Sequence, residues 1–196
     1  MVLIAAVGTH AVFSLLQLRW RQPLAAALLL IGLGAVAYLP QKEVQGFRET
    51  VQVALRELDP SVRSVWMVSS DARGEGAVIA EAAFLLPRRV PSPLRIYRAG
   101  KELGSSDWLG RGYQSAFTDH STLLAHLDTL GVQWVFLDQS LPEKARVAHE
   151  LLLAAALQSA PDRWHLVHQQ TVTRQPGVKG PLLLYRSLAN TPPSAP

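Results

Sequence analysis

Three polar clusters in this 196-residue chain carry groups able to bind or transform a ligand. The first is Ser69-Ser70-Asp71-Ala72-Arg73-Gly74-Glu75-Gly76, a glycine-containing turn leading into an apolar run. Such a turn feeding a helix N-terminus can offer backbone N–H groups to a phosphate. It is neither G-x-G-x-x-G nor a Walker A loop, because no Lys-Ser/Thr follows the glycines. Glu75 would also place a negative charge where the anion should sit. The plainer use of these residues is structural: Asp71 and its serines cap a helix, and Gly74 permits the turn. The second cluster, Lys101 to Tyr113 (KELGSSDWLGRGY), mixes Lys101, Ser105, Ser106, Asp107, Trp108, Arg111 and Tyr113. That set suits a sugar or a phosphate-bearing ligand, with Trp108 or Tyr113 as a flat apolar face and Arg111 as a forked donor. It equally suits an ordered surface loop whose aromatics pack over a sheet edge. The third is Asp138-Gln139-Ser140.

No cluster spells out a catalytic constellation. Gly104-x-Ser106 lacks the second glycine of a nucleophile elbow, since position 108 is Trp. The six histidines contain no H-E-x-x-H, and His165 and His168 lie three apart on an expected strand, hence on opposite faces. With no cysteine, disulfides and zinc-thiolate sites are excluded. No cofactor is called for. Glu81, alone in an apolar helix, must reach the surface or pair with a cation such as arginine.

These clusters fall where strands should end. Val62–Ser69 reads as a strand and Gly76–Leu86 as a nearly all-apolar helix stopped by Pro87. Leu94–Ala99 is a second strand, and 100–118 a long polar loop. Ser121–Leu130 is a helix closed by Gly131, and Trp134–Asp138 a third strand. Ser140-x-x-Glu143 matches a capping box with Pro142 in the first turn, opening a helix to about Gln158. Trp164–Thr173 and Leu182–Ser187 read as a closing hairpin. The alternation predicts an α/β domain over 61–188, three layers around a mainly parallel sheet with a C-terminal hairpin. In such sheets ligands bind beyond the carboxyl ends of the strands, which is where the polar clusters lie. The tail 189–196 reads as disordered.

Ahead of the domain, Val2–Leu18 and Pro23–Leu39 are apolar runs of about 17 residues, the short end of what crosses a bilayer. Arg19-Trp20-Arg21-Gln22 lies between them as a cationic, aromatic connection. Residues 1–41 therefore read as a hairpin of two transmembrane helices, with the lipid bilayer as partner. A buried hairpin of a soluble protein is the alternative. Residues 42–60 follow as an amphipathic connector, with Val44, Phe47, Val51, Leu55 and Leu58 at helical spacing. The net charge of +4 and the pI near 9.8 do not indicate nucleic-acid binding. Arg19, Arg21 and Lys42 carry +3 with no acid before Glu43, leaving +1 for the rest. Basic residues flank both sides of the second run, so charge leaves the orientation open.

The runs WMVSSDARGEGAVIAE, LRIYRAGKELGSSDWLGRGY and LGVQWVFLD, with the helix around His149 and Pro161-Asp162-Arg163-Trp164, together resemble a known family. They are similar to the C-terminal extramembrane domain of bacterial polytopic GT-C, family-39-like glycosyltransferases. The resemblance covers about Val62–Arg186 and implies several expectations. Residues 42–196 would lie on the extracytoplasmic side of the inner membrane, and the hairpin would pack with other transmembrane helices of the same or a separate chain. A polyprenyl-phosphate sugar or a glycan acceptor would be the ligand. The acidic catalytic motif of that family precedes this region and has no counterpart here. Ligand recognition or structural support without catalysis is the resulting expectation, and a non-enzymatic module binding partner subunits is the alternative. A small hydrolase using Ser106 is a third.

Overall fold

The computed structural model describes residues 18–37, 44–58, 62–86, 94–106, 111–175 and 177–189. The chain divides into two compact units, Met1–Gln41 and Lys42–Pro196.

In the first unit, helix α1 runs Leu18–Ala37. Arg19–Gln22, expected as a turn between two spans, is instead the start of this continuous helix. Pro23 lies inside it and removes the N–H that would bond to the Arg19 carbonyl. The expected first span, Val2–Leu18, lies outside the described residues except for Leu18. Among the described residues no helix is long and apolar enough to cross a membrane. The expected second span, Pro23–Leu39, lies within the described residues only as far as Ala37. The expectation of transmembrane helices thus has no support among the described residues. Leu29, Leu30 and Ile31 of this helix are each about two-thirds exposed.

The second unit is a three-layer α/β domain. Helix α2 (Phe47–Arg56) buries Phe47, Thr50, Val51 and Ala54 on one face. Its cap, Gly46, has φ +90°, and a Cβ there would lie 2.8 Å from the Thr171 carbonyl, so both conformation and space demand glycine. Strands β1 (Ser64–Ser69), β2 (Leu94–Arg98) and β5 (Trp134–Asp138) are parallel, with β1 between the other two. β7 (Val178–Ser187) pairs antiparallel with β5, and β6 (Trp164–Gln175) antiparallel with β7, giving the order β2-β1-β5-β7-β6. Helix α3 (Ala72–Leu85) follows β1, α5 (His120–Thr129) precedes β5, and α6 (Ala148–Ser159) precedes β6.

Strict alternation in the strands builds two cores, one on each face of the sheet. Val65, Met67, Val135, Leu137, Leu183 and Tyr185 pack with Leu123, Leu127, Leu153 and Leu157 of α5 and α6. Trp66, Val68, Trp134, Phe136, Leu182 and Leu184 pack with Val51 of α2 and Val78 of α3. Both faces of the central strands are thus covered, as parallel strands require.

Several boundaries differ from the sequence expectation. α3 starts four residues before Gly76, because Asp71 caps it: its Oδ1 accepts from the Gly74 N–H at 2.8 Å. The expected loop 100–118 contains a helical turn, α4 (Ala99–Glu102), and a two-stranded ribbon, β3 (Gly104–Ser105) with β4 (Gln114–Ser115). The capping box at Ser140 and Glu143 does not form. Only a 3-10 turn occupies Glu143–Ala145, and α6 begins at Ala148. The Ser140 N–H bonds instead to Asp138 Oδ1 at 2.9 Å, which ties the would-be cap to the strand end. Both hairpin strands extend beyond their expected bounds, to Gln175 and from Val178. The tail 190–196 lies outside the described residues.

Candidate functional site

The order β2-β1-β5 places a topological switch point between β1 and β5, because the chain leaves β1 for one neighbour and later returns to the other. In open α/β sheets this is where ligands enter, outside the carboxyl ends of the strands. Ser69 pairs with Leu137, so Ser70-Asp71 and Asp138 emerge side by side at that point.

The crevice is already filled. Arg174, 4% exposed, reaches in from β6. Its Nη1 donates to Asp138 Oδ2 at 2.9 Å and to Ser70 Oγ at 3.3 Å, and its Nη2 donates to Asp71 Oδ1. The Ser70 hydroxyl also donates to Asp138 Oδ2, at 2.6 Å. The guanidinium stacks against Phe47 of α2, 5.7 Å from the ring centre. A bulge makes this possible. Thr173 faces Lys179 and Gln175 faces Val178, leaving Arg174 as an extra residue whose side chain is turned out of the ladder. Gly74 completes the fit, since a Cβ there would run into Ser70 Oγ, the Arg174 guanidinium and Asp138. Burial pushes the Asp71 carboxyl up, but Arg174, the Gly74 N–H and the Arg73 N–H outweigh it and hold the group below its ordinary value.

Beside the crevice, the first turn of α6 is capped by two titratable side chains. Glu150 accepts from the Val147 N–H at 3.3 Å, and the Tyr113 hydroxyl accepts from the His149 N–H at 3.0 Å. Tyr113 Oη also lies 2.9 Å from His149 Nδ1. Burial lowers the His149 pKa to about 4, so the ring is neutral, and its Nε2 has no partner. Burial, with the nearby charges of Asp138 and Asp71, raises Glu150 to about 7, against the opposing Val147 N–H and Arg146. Ser140 Oγ is buried and unpartnered.

Of the residues singled out from sequence, Ser70, Asp71, Gly74 and Asp138 are brought together here. Glu75 is not among them: it turns to β2, accepting from Arg98 Nε at 2.6 Å and the Gly100 N–H at 3.1 Å. It is thus a buried brace, and no anion-repelling charge in the crevice. Lys101, on α4, and Arg111, ahead of β4, are exposed, and Ser106 is half-buried. Asp107 and Trp108 lie outside the described residues. Tyr113 joins α6 rather than offering a free aromatic face. Glu81 sits 4.0 Å from Arg48, the kind of pairing its burial demands. It also lines a separate open cavity of about 190 Å³ with Val44–Glu49 and Ala77. Sequence reasoning missed Arg174 and Glu150. The one local signal was a glutamate three residues into α6, but Val147 before it has no capping oxygen.

Among the described residues no group of His, Cys, Asp and Glu is arranged to hold a metal ion. No family model, no curated protein and no solved structure matches the chain, so the geometry of the crevice carries the functional reading.

Proposed function

We propose that the chain is a membrane-attached recognition module without catalysis of its own. In this reading residues 42–196 bind a glycan acceptor or a polyprenyl-phosphate sugar at the extracytoplasmic face of the inner membrane, as the C-terminal domain of a GT-C-type glycosyltransferase would. The observation that carries the non-catalytic part is the occupied crevice. The position an α/β enzyme keeps for its ligand holds the Arg174 guanidinium, bonded to Asp71, Asp138 and Ser70. Recognition then falls to the segment Lys101–Tyr113, where Lys101 and Arg111 are exposed cations beside the sequence position of Trp108. Cations with an aromatic suit a sugar phosphate.

The test uses the full chain in detergent with undecaprenyl phosphate in mixed micelles, the neutral prenol as comparison, and a set of soluble oligosaccharides. Saturable binding of the phosphate or of a glycan, lost in Trp108→Ala/Arg111→Ala, supports the reading. Equal response to phosphate and prenol, with no glycan bound, overturns it.

A second reading, a non-enzymatic module that docks onto partner subunits, is favoured by α1. Leu29, Leu30 and Ile31 are exposed on it. A helix apolar all round needs cover, and neighbouring helices of another protein would supply it. Co-purification of a multi-span protein through α1, in the absence of any sugar ligand, would select this reading.

A further inference from the structure

Helix α3 carries its polarity inside out. Residues 76–86 contain one charged side chain, Glu81, and it is 6% exposed, 4.0 Å from Arg48. The outer face is apolar: Gly76, Ala80, Ala83 and Phe84, at i, i+4, i+7 and i+8, are all exposed, Phe84 at 70%. The inner face puts Val78 and Ala82 into the core shared with α2. A surface helix ordinarily turns charge to water, and one that is apolar on both sides needs a second apolar neighbour.

Two features indicate which neighbour. The first is charge. Arg48 is half exposed, and its guanidinium lies over the Phe84 ring, 5.2 Å from the centre. Arg88 and Arg89 follow α3 in the sequence and outweigh the exposed Glu49 beside Arg48. An exposed phenylalanine with an arginine excess matches an anionic lipid surface, where the ring enters the headgroup boundary and the guanidinium stays at the phosphates. The second is attachment. Val44 lines one cavity with Arg48 of α2 and with Ala77 and Glu81 of α3, so the chain enters the domain beside this helix. Residues 38–43 alone separate Val44 from α1, a reach of about 25 Å at most.

We propose that the α3 face formed by Gly76, Ala80, Ala83 and Phe84 lies on an anionic bilayer surface, with Phe84 inserted and Arg48 at the phosphates. The inference rests on the reading of the chain as membrane-attached and adds which side of the domain meets lipid. The patch is small, but attachment through the same chain makes the contact intramolecular, so a weak contact suffices. Helices α5 and α6, across the sheet, then face water.

The chain has no cysteine, so a single label can be placed at will. Ala80→Cys on α3 and Ala125→Cys on α5, both at exposed positions, are labelled with bimane in the full chain. Each is reconstituted in vesicles of phosphatidylcholine and phosphatidylglycerol containing a headgroup-level nitroxide lipid. The label at position 80 should be quenched and that at 125 should not. Quenching at 80 should be lost in Ala80→Cys/Phe84→Glu, which alters an exposed side chain and leaves the core intact. Equal quenching at the two positions, or quenching at 80 that survives Phe84→Glu, overturns the proposal. So does disulfide cross-linking of unlabelled Ala80→Cys between two copies, which would show that a second chain covers this face. A chain that floats with the vesicles but is unquenched at 80 overturns this face alone, whereas one that does not float with them overturns membrane attachment as well.

Discussion

Removing the Arg174 guanidinium should be among the most damaging single changes in the domain. Arg174 and Asp138 have side chains 4% and 1% exposed, so Arg174→Leu strands a buried carboxylate. Breaking a buried ion pair in this way typically costs 3–5 kcal/mol. Asp138 keeps two donors, the Ser70 hydroxyl and the Ser140 N–H, which places the cost at the lower end, about 3 kcal/mol. Asp71, more than a third exposed, adds little to that figure. For a folded body of this size about 3 kcal/mol lowers the Tm by roughly 6–12 °C. The assay is thermal and urea unfolding of the full chain followed by tryptophan fluorescence, with Trp66 in the core as reporter. Arg174→Leu/Asp138→Asn should recover about 2 kcal/mol of the loss, because the stranded charge is gone. Acid sensitivity provides a further check. The Asp71 pKa is depressed in the folded chain, so its contribution is present above the ordinary carboxylate value and is lost as pH falls through the folded one. That acid limb should weaken in Arg174→Leu. A loss below about 1 kcal/mol, or no recovery in the double variant, refutes the reasoning.

Gly74→Ala should cost about 1–3 kcal/mol in urea unfolding, since the new methyl meets Ser70, Asp138 and Arg174 where no space remains. Glu75→Ala should cost about 2 kcal/mol by the same measurement, because it frees Arg98 and leaves the Gly100 N–H without its acceptor. His149, with its pKa lowered to about 4, contributes stability above its ordinary value of 6.5 that is lost as pH falls from 6.5 toward 4. His149→Phe should flatten that limb of the Tm–pH curve, and an unchanged limb would contradict the assignment. Glu150 acts in the opposite sense, its contribution being full below about 4.5 and lost as pH rises through about 7. The Tm difference between the natural chain and Glu150→Gln should therefore shift in favour of the variant from pH 5 to pH 8.

The order of strands and helices in the domain was legible because it follows from local rules. Val65–Val68, Trp134–Leu137 and Leu182–Tyr185 are apolar without interruption, which suits strands buried on both faces. The leucines of α5 recur at helical spacing, and Gly131 ends that segment. The position of the crevice was legible for the same reason: polar residues directly after apolar strands must emerge at the sheet's carboxyl edge. Element boundaries were less so. Ser140-x-x-Glu143 has the composition of a capping box, but Asp138 competes successfully for the Ser140 N–H and the helix begins later. Arg19–Gln22 has the composition of a turn but lacks a breaker, so the helix runs through it.

By itself, then, the sequence determined the α/β class, the hydrophobic faces, the near-neutral charge of the domain and the edge at which its polar groups collect. What occupies that edge was decided by tertiary structure alone. Arg174 lies 36 residues from Asp138 and 103 from Asp71 along the chain, and no periodicity or motif links them. Strand pairing brings them within reach, and an extra residue in β6 turns the guanidinium inward. The charge state of Glu150 has the same origin, because its burial and its two carboxylate neighbours exist only once β1, β5 and α6 have packed. Local chemistry sets which segments become elements; the electrostatics of a site are set by groups that meet only through the fold.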